Sequence, residues 1–206
     1  MTAHTNPPAD PAAHHRPVLY LIGCAAPPVH HIRTAITQAQ DRAYDTCLIL
    51  TPTAAAWLDK DLDELAELTG HPVRSSYKQP GTPDALPSPD AFLVAPMTLN
   101  TTTKWADGHQ DNLALGLIAE AAGRRIHDAV LGLPLQPIVA LPYLNAWQAA
   151  HPAFARGVSQ LETMGVRVPL GGDGFTPHVP HSGQSRPDAF PWQIAFDVFG
   201  ENHFNQ

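Results

Sequence analysis

The sequence has few basic residues and no long apolar run, and each shortage excludes a class of protein. Only 12 of its 206 residues are Lys or Arg, against 19 Asp or Glu, and the net charge is −7. Binding to nucleic acid requires a basic surface that neutralises phosphates, so nucleic acid is not an expected partner. No stretch of about 18 continuous apolar residues occurs, and no membrane-spanning helix is predicted.

Cysteine is also scarce. The only two, Cys24 and Cys47, cannot form a framework of several disulfides and lack the spacing of a metal or redox pair. No metal site is predicted, and the reducing cytoplasm is the expected compartment. The first seventeen residues contain no apolar core flanked by positive charge, so they do not predict a secretory signal.

The length of 206 residues suits one α/β domain with a substantial core. Residues 1–17 are rich in Pro, Ala and His and are predicted to be a disordered tail. The domain is predicted to span residues 18–206. Within it, the Gly-, Pro- and His-rich segment 170–191 predicts a flexible, flap-like loop, and 192–206 predicts a C-terminal helical segment.

Short apolar runs alternate with segments of helical periodicity. Strands are predicted at 18–22, 46–50, 91–95, 137–141 and 166–168. Helices are predicted at 30–42, from 54 onward, at 101–122 and at 153–164. The five prolines of segment 71–89 predict a long loop. This alternation is typical of a three-layer, Rossmann-like (flavodoxin-like) parallel sheet with helices on both faces.

Small and hydroxyl-bearing residues follow the predicted strands, at the edge where parallel sheets bind ligands. The turns are at 23–25, 51–53, 96–101 and 142–145. Free backbone N–H groups and threonine hydroxyls in such turns suit a phosphate monoester. Ordinary helix capping is the alternative explanation for any one turn, but the recurrence at successive strand ends favours a ligand.

The same turns carry recognisable motifs. Residues 23–26 read Gly-Cys-Ala-Ala, 51–57 read Thr-Pro-Thr-Ala-Ala-Ala-Trp, 95–101 read Ala-Pro-Met-Thr-Leu-Asn-Thr, and 142–145 read Pro-Tyr-Leu-Asn. In this order they resemble the Gly-Ser-x-Ala-Ala, Thr-Pro-x-Ala-x-x-Phe, Ala-Pro-Ala-Ser/Thr-Ala-Asn-Thr and Pro-x-Met-Asn motifs of one flavoprotein family. That family contains the phosphopantothenoylcysteine decarboxylases and the peptidyl-cysteine decarboxylases of lantibiotic biosynthesis.

The resemblance implies a flavoprotein that binds flavin mononucleotide (FMN) between the subunits of a homo-oligomer, a trimer or a dodecamer of trimers. It implies a small-molecule or peptide substrate, and Asn145 is implied to contact the substrate carboxylate. In the family, the flavin oxidises a cysteinyl thiolate, and the oxidised carbon accepts the electrons left as carbon dioxide departs. The implied FMN contacts are Gly23, Cys24, Ala25, Thr51, Thr53, Trp57, Pro96, Met97, Thr98 and Asn100.

Three features of the family are missing. The catalytic histidine of its Gly-His-Ile-x-Leu stretch falls on Thr82, where neighbouring prolines oppose the helix that displays it. The Met-Trp that completes the asparagine motif is replaced by Gln148 and Ala149. No cysteine follows Cys47, so the cysteine of the substrate clamp is absent.

Histidines offer substitutes for the lost acid/base group. His71 lies upstream of the missing position, while His178 and His181 lie in the predicted flap, where a histidine can serve as the acid or base. His30 and His31, next to the first turn, are either exposed residues at a helix start or proton donors that line the flavin pocket. The catalytic residue itself stays unknown at this level.

Two functions therefore remain open. The favoured one is an FMN-dependent oxidoreductase or oxidative decarboxylase with a non-standard acid/base residue. The alternative is a non-catalytic flavin-binding or regulatory module on the cysteine-decarboxylase fold. Prenyl-transferring flavin relatives are disfavoured because their Gly-Ala-Ser-Gly entry loop is not evident, and a standard dinucleotide fold is disfavoured because no Gly-x-Gly-x-x-Gly follows the first strand.

Overall fold

A computed structural model describes residues 16–172, 174–182 and 187–201. All but the last two residues of the tail predicted at 1–17 lie outside this description, as do residues 202–206 of the predicted C-terminal segment. No helix among the described residues is long and apolar enough to cross a membrane.

Four parallel strands form the central sheet. They are β1 (Val18–Gly23), β2 (Asp45–Leu50), β3 (Ala91–Met97) and β4 (Ile138–Pro142), in the order β2-β1-β3-β4. Every strand residue except the first of β2 is buried, so both faces of the sheet are covered. This burial is why the strands could be predicted as continuous apolar runs.

Single parallel bridges extend the sheet at both edges. Arg74 pairs with Ile49 beside β2, and Arg167 pairs with Val139 beside β4. The strand predicted at 166–168 is therefore reduced to one bridge. Pro169 follows shortly after and has no N–H with which to continue the ladder.

The first half of the chain supplies three helices. A 3-10 turn (Pro27–His31) leads into α1 (Ile32–Asp41), which packs on β1 and β2. After β2 come α2 (Pro52–Trp57) and, beyond a second 3-10 turn, α3 (Leu62–Thr69). The helix predicted from residue 54 is thus two helices, and α3 packs beside α1.

The second half supplies five more helices: α4 (Leu99–Ala106), α5 (Leu113–Leu131), α6 (Ala146–Ala150), α7 (Pro152–Thr163) and α8 (Trp192–Glu201). The single helix predicted at 101–122 is wrong. The chain turns at Gly108, whose φ of +75° is left-handed, and Asn112 caps a new helix by accepting a hydrogen bond from the amide of Leu115 at 3.1 Å.

The strand order fixes where a ligand can enter. From β1 the chain moves outward to β2, then returns past β1 to β3 and continues outward to β4. The turns that leave β1 and β3 therefore diverge at the carboxyl edge of the sheet. In open parallel sheets the crevice between such turns is the usual binding site.

Candidate functional site

A cavity of about 410 Å³ opens at this crevice. Its volume lies within the range of small-molecule sites, roughly 300–1,000 Å³. It is lined by residues that follow β1, β3 and β4 and by two histidines of the predicted flap, namely Ala25, Ala26, Pro27, Thr98, Leu99, Tyr143, Leu144, Asn145, Gln148, His178 and His181. The structure thus brings together five of the residues singled out from sequence: Ala25, Thr98, Asn145, His178 and His181.

Backbone hydrogen bonds join the turns at the carboxyl edge into one row. The bonds run from the Thr51 amide to the Gly23 carbonyl (3.0 Å), from the Cys24 amide to the Pro96 carbonyl (3.2 Å), and from the Tyr143 amide to the Met97 carbonyl (2.9 Å). All four motif-bearing turns are therefore held in fixed positions next to one another.

The turn after β1 presents its backbone and its small residues to the cavity, and its thiol to the core. A Cβ atom on Gly23 would lie 2.8 Å from Leu50 Cδ2, so a larger residue there would displace the Leu50 side chain. The Cys24 side chain is buried and does not line the cavity. Burial raises the pKa of its thiol to about 11, although hydrogen bonds to the Thr101 side chain and the Thr98 backbone oppose the shift.

This turn offers fewer free N–H donors than the sequence suggested. The amide of Cys24 bonds to Pro96, and that of Ala26 bonds back to Cys24. Residues 27 and 28 are both proline and have no N–H. Ala25 therefore holds the one amide of residues 24–28 that has no acceptor within the described residues.

The turn after β2 lies beside the cavity but does not line it. Thr51 precedes α2 without capping it, so its hydroxyl is not used by the helix, and Thr53 is exposed. Trp57 is 46% exposed and stacks on His30 with ring centroids 5.9 Å apart and an interplanar angle of 5°. Neither His30 nor His31 lines the cavity, so their predicted role as pocket proton donors has no support from this arrangement.

The turn after β3 contributes one polar side chain to the cavity. Ala95 and Pro96 are joined by a cis peptide bond, and both Pro96 and Met97 are buried in the strand. Thr98 caps α4, accepting a hydrogen bond from the Thr101 amide at 3.2 Å. Asn100 is exposed on the first turn of α4 and does not line the cavity.

The turn after β4 holds two side-chain amides that line the cavity. Asn145 caps α6, with its Oδ1 2.9 Å from the Gln148 amide, and Gln148 Oε1 lies 3.0 Å from the Asn145 amide. This reciprocal capping box occupies both side-chain oxygens. Both NH₂ groups are left to donate, because the hydrogen-bond pattern fixes which end of each amide is oxygen.

The predicted flap is attached to this same turn. The His178 carbonyl accepts from the Ala146 amide at 2.9 Å, and the His178 amide donates to Leu144 at 3.3 Å. The His178 ring lies 4.8 Å from the ring of Tyr143. Its Nδ1 atom is shielded from solvent and has no hydrogen-bond partner among the described residues, and burial lowers the pKa of the imidazole.

His181 occupies a different environment in the same cavity. It is exposed and has a left-handed backbone, with a φ of +67°. Its ring meets Trp147 edge-on, with centroids 5.3 Å apart. His181 therefore stands at the mouth of the cavity, next to a tryptophan that is 67% exposed.

His71, predicted as a possible substitute for the family histidine, lies away from the cavity. Its Nε2 atom lies 2.7 Å from Asp45 Oδ1, and Asp45 is the first residue of β2. In a parallel sheet this position is the amino edge, opposite the cavity. His71 therefore forms a structural hydrogen bond at the edge of the sheet opposite the cavity.

Two of the cavity residues that were not predicted as site residues, Tyr143 and Gln148, have polar side chains, and the sequence contained a signal for each. Tyr143 lies inside the Pro-Tyr-Leu-Asn motif, and burial raises the pKa of its phenol. Gln148 follows Asn145 by three residues, which is the spacing of a capping box. That spacing predicts that the side-chain amides of Asn145 and Gln148 lie together at the start of one helix.

No protein-family model and no curated protein matches the sequence, whereas solved structures do match. The FMN-dependent cysteine decarboxylase SpaF has a TM-score of 0.60 at 19% identity, over 88% of this chain and 98% of that one. TvaF, an FMN-dependent cysteine decarboxylase from thioviridamide biosynthesis, has a TM-score of 0.60 at 20% identity, over 89% and 95%. The epidermin biosynthesis protein EpiD from Staphylococcus aureus has a TM-score of 0.54 at 19% identity, over 73% and 81%. The chain therefore has the Rossmann-like α/β fold of these proteins, as the sequence motifs predicted.

Proposed function

We propose that this chain is an FMN-binding flavoprotein related to the cysteine decarboxylases, acting on the terminus of a peptide or on a small molecule. The observation that carries the proposal is the row of hydrogen-bonded turns at the switch point of the sheet. The four family-like motifs lie in these turns, and three of the turns line one cavity. The fold shared with FMN-dependent cysteine decarboxylases supports the same conclusion.

The residues at this edge suit FMN. The cavity is lined by alanines, Leu99 and Tyr143, which suit an apolar ring system, and by the hydroxyl of Thr98. The uncommitted hydroxyls of Thr51 and Thr53 stand beside it, and with the Ala25 amide they suit the ribityl chain and phosphate. When bound, FMN would supply a two-electron oxidant next to the cavity.

The amides of Asn145 and Gln148 would hold an oxygen of the substrate. Both present only donors, and none of the residues that line the cavity carries a carboxylate, ammonium or guanidinium group. A carboxylate or carbonyl held there would be recognised by hydrogen bonds alone. The role implied for Asn145 is thereby extended to Gln148.

Self-association belongs to the proposal as well. Four large apolar side chains are exposed at or just beyond the end of α5: Ile126, Val130, Leu131 and Leu133. Apolar groups concentrated in one place on a surface mark interaction sites. A homo-oligomer, the trimer or dodecamer of the related family, would cover them.

The test is the visible absorbance of the chain as purified, compared between two variants. Ala25→Phe fills the cavity, whereas Ala155→Phe places the same ring on an exposed position of α7. We expect flavin absorbance in the wild type and in Ala155→Phe and its loss in Ala25→Phe, with all three folded by circular dichroism. A colourless wild type that also fails to take up added FMN would refute the proposal.

A further inference from the structure

The two histidines of the cavity differ in a way that assigns them different tasks. The backbone of His178 is fixed by hydrogen bonds to both sides of Asn145, so its ring has a set position relative to the amide pair. His181 has no such bridge and stands exposed beside Trp147. A group that transfers protons must be held within reach of the reacting atom, and His178 meets that condition.

The surroundings of His178 favour its neutral form. An imidazolium ion needs an acceptor for both ring N–H groups, and Nδ1 is shielded with no acceptor. The ring of Tyr143 contacts the His178 ring, and the other polar side chains of the cavity are Thr98, Asn145, Gln148 and His181. None of the cavity-lining residues supplies a carboxylate. Burial therefore acts unopposed and lowers the pKa of His178.

The position of Nδ1 also decides which nitrogen can react. Nδ1 is shielded, whereas the ring lines the cavity, so a ligand reaches His178 through Nε2. The neutral tautomer with its proton on Nδ1 presents a lone pair at Nε2, and one unpartnered N–H costs less than the buried charge of an imidazolium ion. Such a group is a proton acceptor at neutral pH.

Resting on the proposed function, we infer that His178, and not His181, is the proton acceptor of this cavity, taking the proton of a substrate thiol whose neighbouring carboxylate is held by Asn145 and Gln148. The S–H bond breaks and an Nε2–H bond forms, which leaves a thiolate and an imidazolium and changes no oxidation state. The thiolate is the form of the substrate that an oxidant can then oxidise. His178 thereby supplies the group that Thr82 cannot supply.

The experiment compares His178→Gln and His181→Gln in the FMN-loaded, full-length chain. The probe is a pentapeptide that ends in cysteine, and the rate of flavin bleaching without oxygen is followed across pH. In the wild type we expect the rate to rise with pH and level off above the His178 midpoint. His178→Gln should lose the rise at the His178 midpoint and keep only the rise that follows ionisation of the substrate thiol at about pH 8.5. At neutral pH it should slow about 100-fold to 10,000-fold, the usual contribution of a general base, with little change in peptide affinity. His181→Gln should keep the pH dependence.

A second readout does not depend on turnover. Carbon-13 NMR of labelled histidines in the full-length chain gives the titration midpoint of each ring, with the two variants providing the assignments. We expect the His178 midpoint to lie below the ordinary histidine value and to coincide with the midpoint of the bleaching rate.

Three results would overturn the inference: a rise at the His178 midpoint that survives in His178→Gln, a loss of that rise in His181→Gln, or a wild type that the peptide never bleaches. The FMN spectrum of the same samples reports separately on the proposed function. If the chain binds FMN but shows any of these three results, His178 is not the proton acceptor, and the proposal that the chain binds FMN still stands.

Discussion

The two sides of the carboxyl edge use their polar groups differently. On the side of β3 and β4, three polar side chains that line the cavity are engaged as helix caps: Thr98 caps α4, and Asn145 and Gln148 cap α6 together. On the side of β2, Thr51 precedes a helix that it does not cap. One side is enclosed and preorganised, and the other is open and uncommitted.

The difference shows how one edge can hold the two chemically distinct ends of a single ligand. Oxygens fixed by caps leave NH₂ donors in defined directions, which suits a specific substrate group. Free hydroxyls beside an exposed tryptophan suit an anion that remains partly hydrated. We therefore expect the flavin ring to depend on the β3–β4 side and the phosphate on the β2 side.

The largest expected effect is on the reactivity of the Cys24 thiol. This reactivity reports whether the turn after β1 directs the Cys24 side chain or Ala25 to the cavity. A pKa of about 11 leaves only about one thiol in a thousand ionised at pH 8, so Cys24 should react with a disulfide reagent more than 100-fold slower than a free cysteine. Cys47, whose pKa is raised by burial to about 12, should behave likewise. We expect no thiol to be titrated in the native chain and two in guanidinium. Rapid reaction of the remaining thiol in Cys24→Ser would show that Cys47 is accessible to the reagent. Rapid reaction of the remaining thiol in Cys47→Ser would show that the Cys24 thiol faces the cavity.

The second prediction tests whether the β2 side of the edge binds the phosphate of FMN or its ring. Replacing Thr51 and Thr53 together by valine removes two hydroxyls while keeping the branched shape. A hydrogen bond to a charged group contributes about 1.5–3 kcal/mol, so the loss of two such bonds should lower FMN affinity at least about 100-fold. Riboflavin, which keeps the ribityl chain but has no phosphate, should lose less affinity than FMN in a fluorescence titration. Equal loss for both flavins would place the ring, not the phosphate, on the β2 side.

The third prediction tests the donors of the cavity. Gln148→Glu keeps an oxygen that can accept from the Asn145 amide, so the capping box and the thermal stability should be unchanged. The free donor becomes a carboxylate, which should weaken the binding of a peptide carboxylate at least about tenfold, measured by calorimetry. A peptide amide should be affected less. An unchanged affinity for the carboxylate would separate Gln148 from substrate recognition.

The smallest expected effect is on stability. Asn145→Ala removes the cap of α6 and should lower the free energy of unfolding by about 1 kcal/mol. Asn112→Ala removes the cap of α5, which does not line the cavity, and should lower the free energy of unfolding by about the same amount. Urea denaturation of both variants checks this. A much larger loss for Asn145→Ala would mean that the caps around the cavity also hold the flap in place.

The strands could be predicted from sequence because burial on both faces leaves a continuous apolar signal. The motif turns followed from the strands, since each lies where a strand ends. The break between α4 and α5 could have been predicted as well, because Gly108 and Asn112 carry a turn signal and a cap signal within five residues. The apolar periodicity of the flanking segments hid it.

The sequence could not predict which residues of each turn face the cavity or which distant segments meet there. Whether Cys24 or Ala25 faces the cavity depends on how the turn packs against Thr101, a contact made only in the fold. The attachment of His178 to Leu144 and Ala146 joins segments more than thirty residues apart. Periodicity carries no information on either contact.

A fluorescence titration of the flavin-free chain with FMN tests the central claim most directly, because a flavin that leaves water for an enclosed site changes its emission. We expect saturable binding of one FMN per chain, weaker binding of riboflavin, and loss of both in Ala25→Phe. A linear, unsaturable response to FMN in the folded wild type would contradict the account.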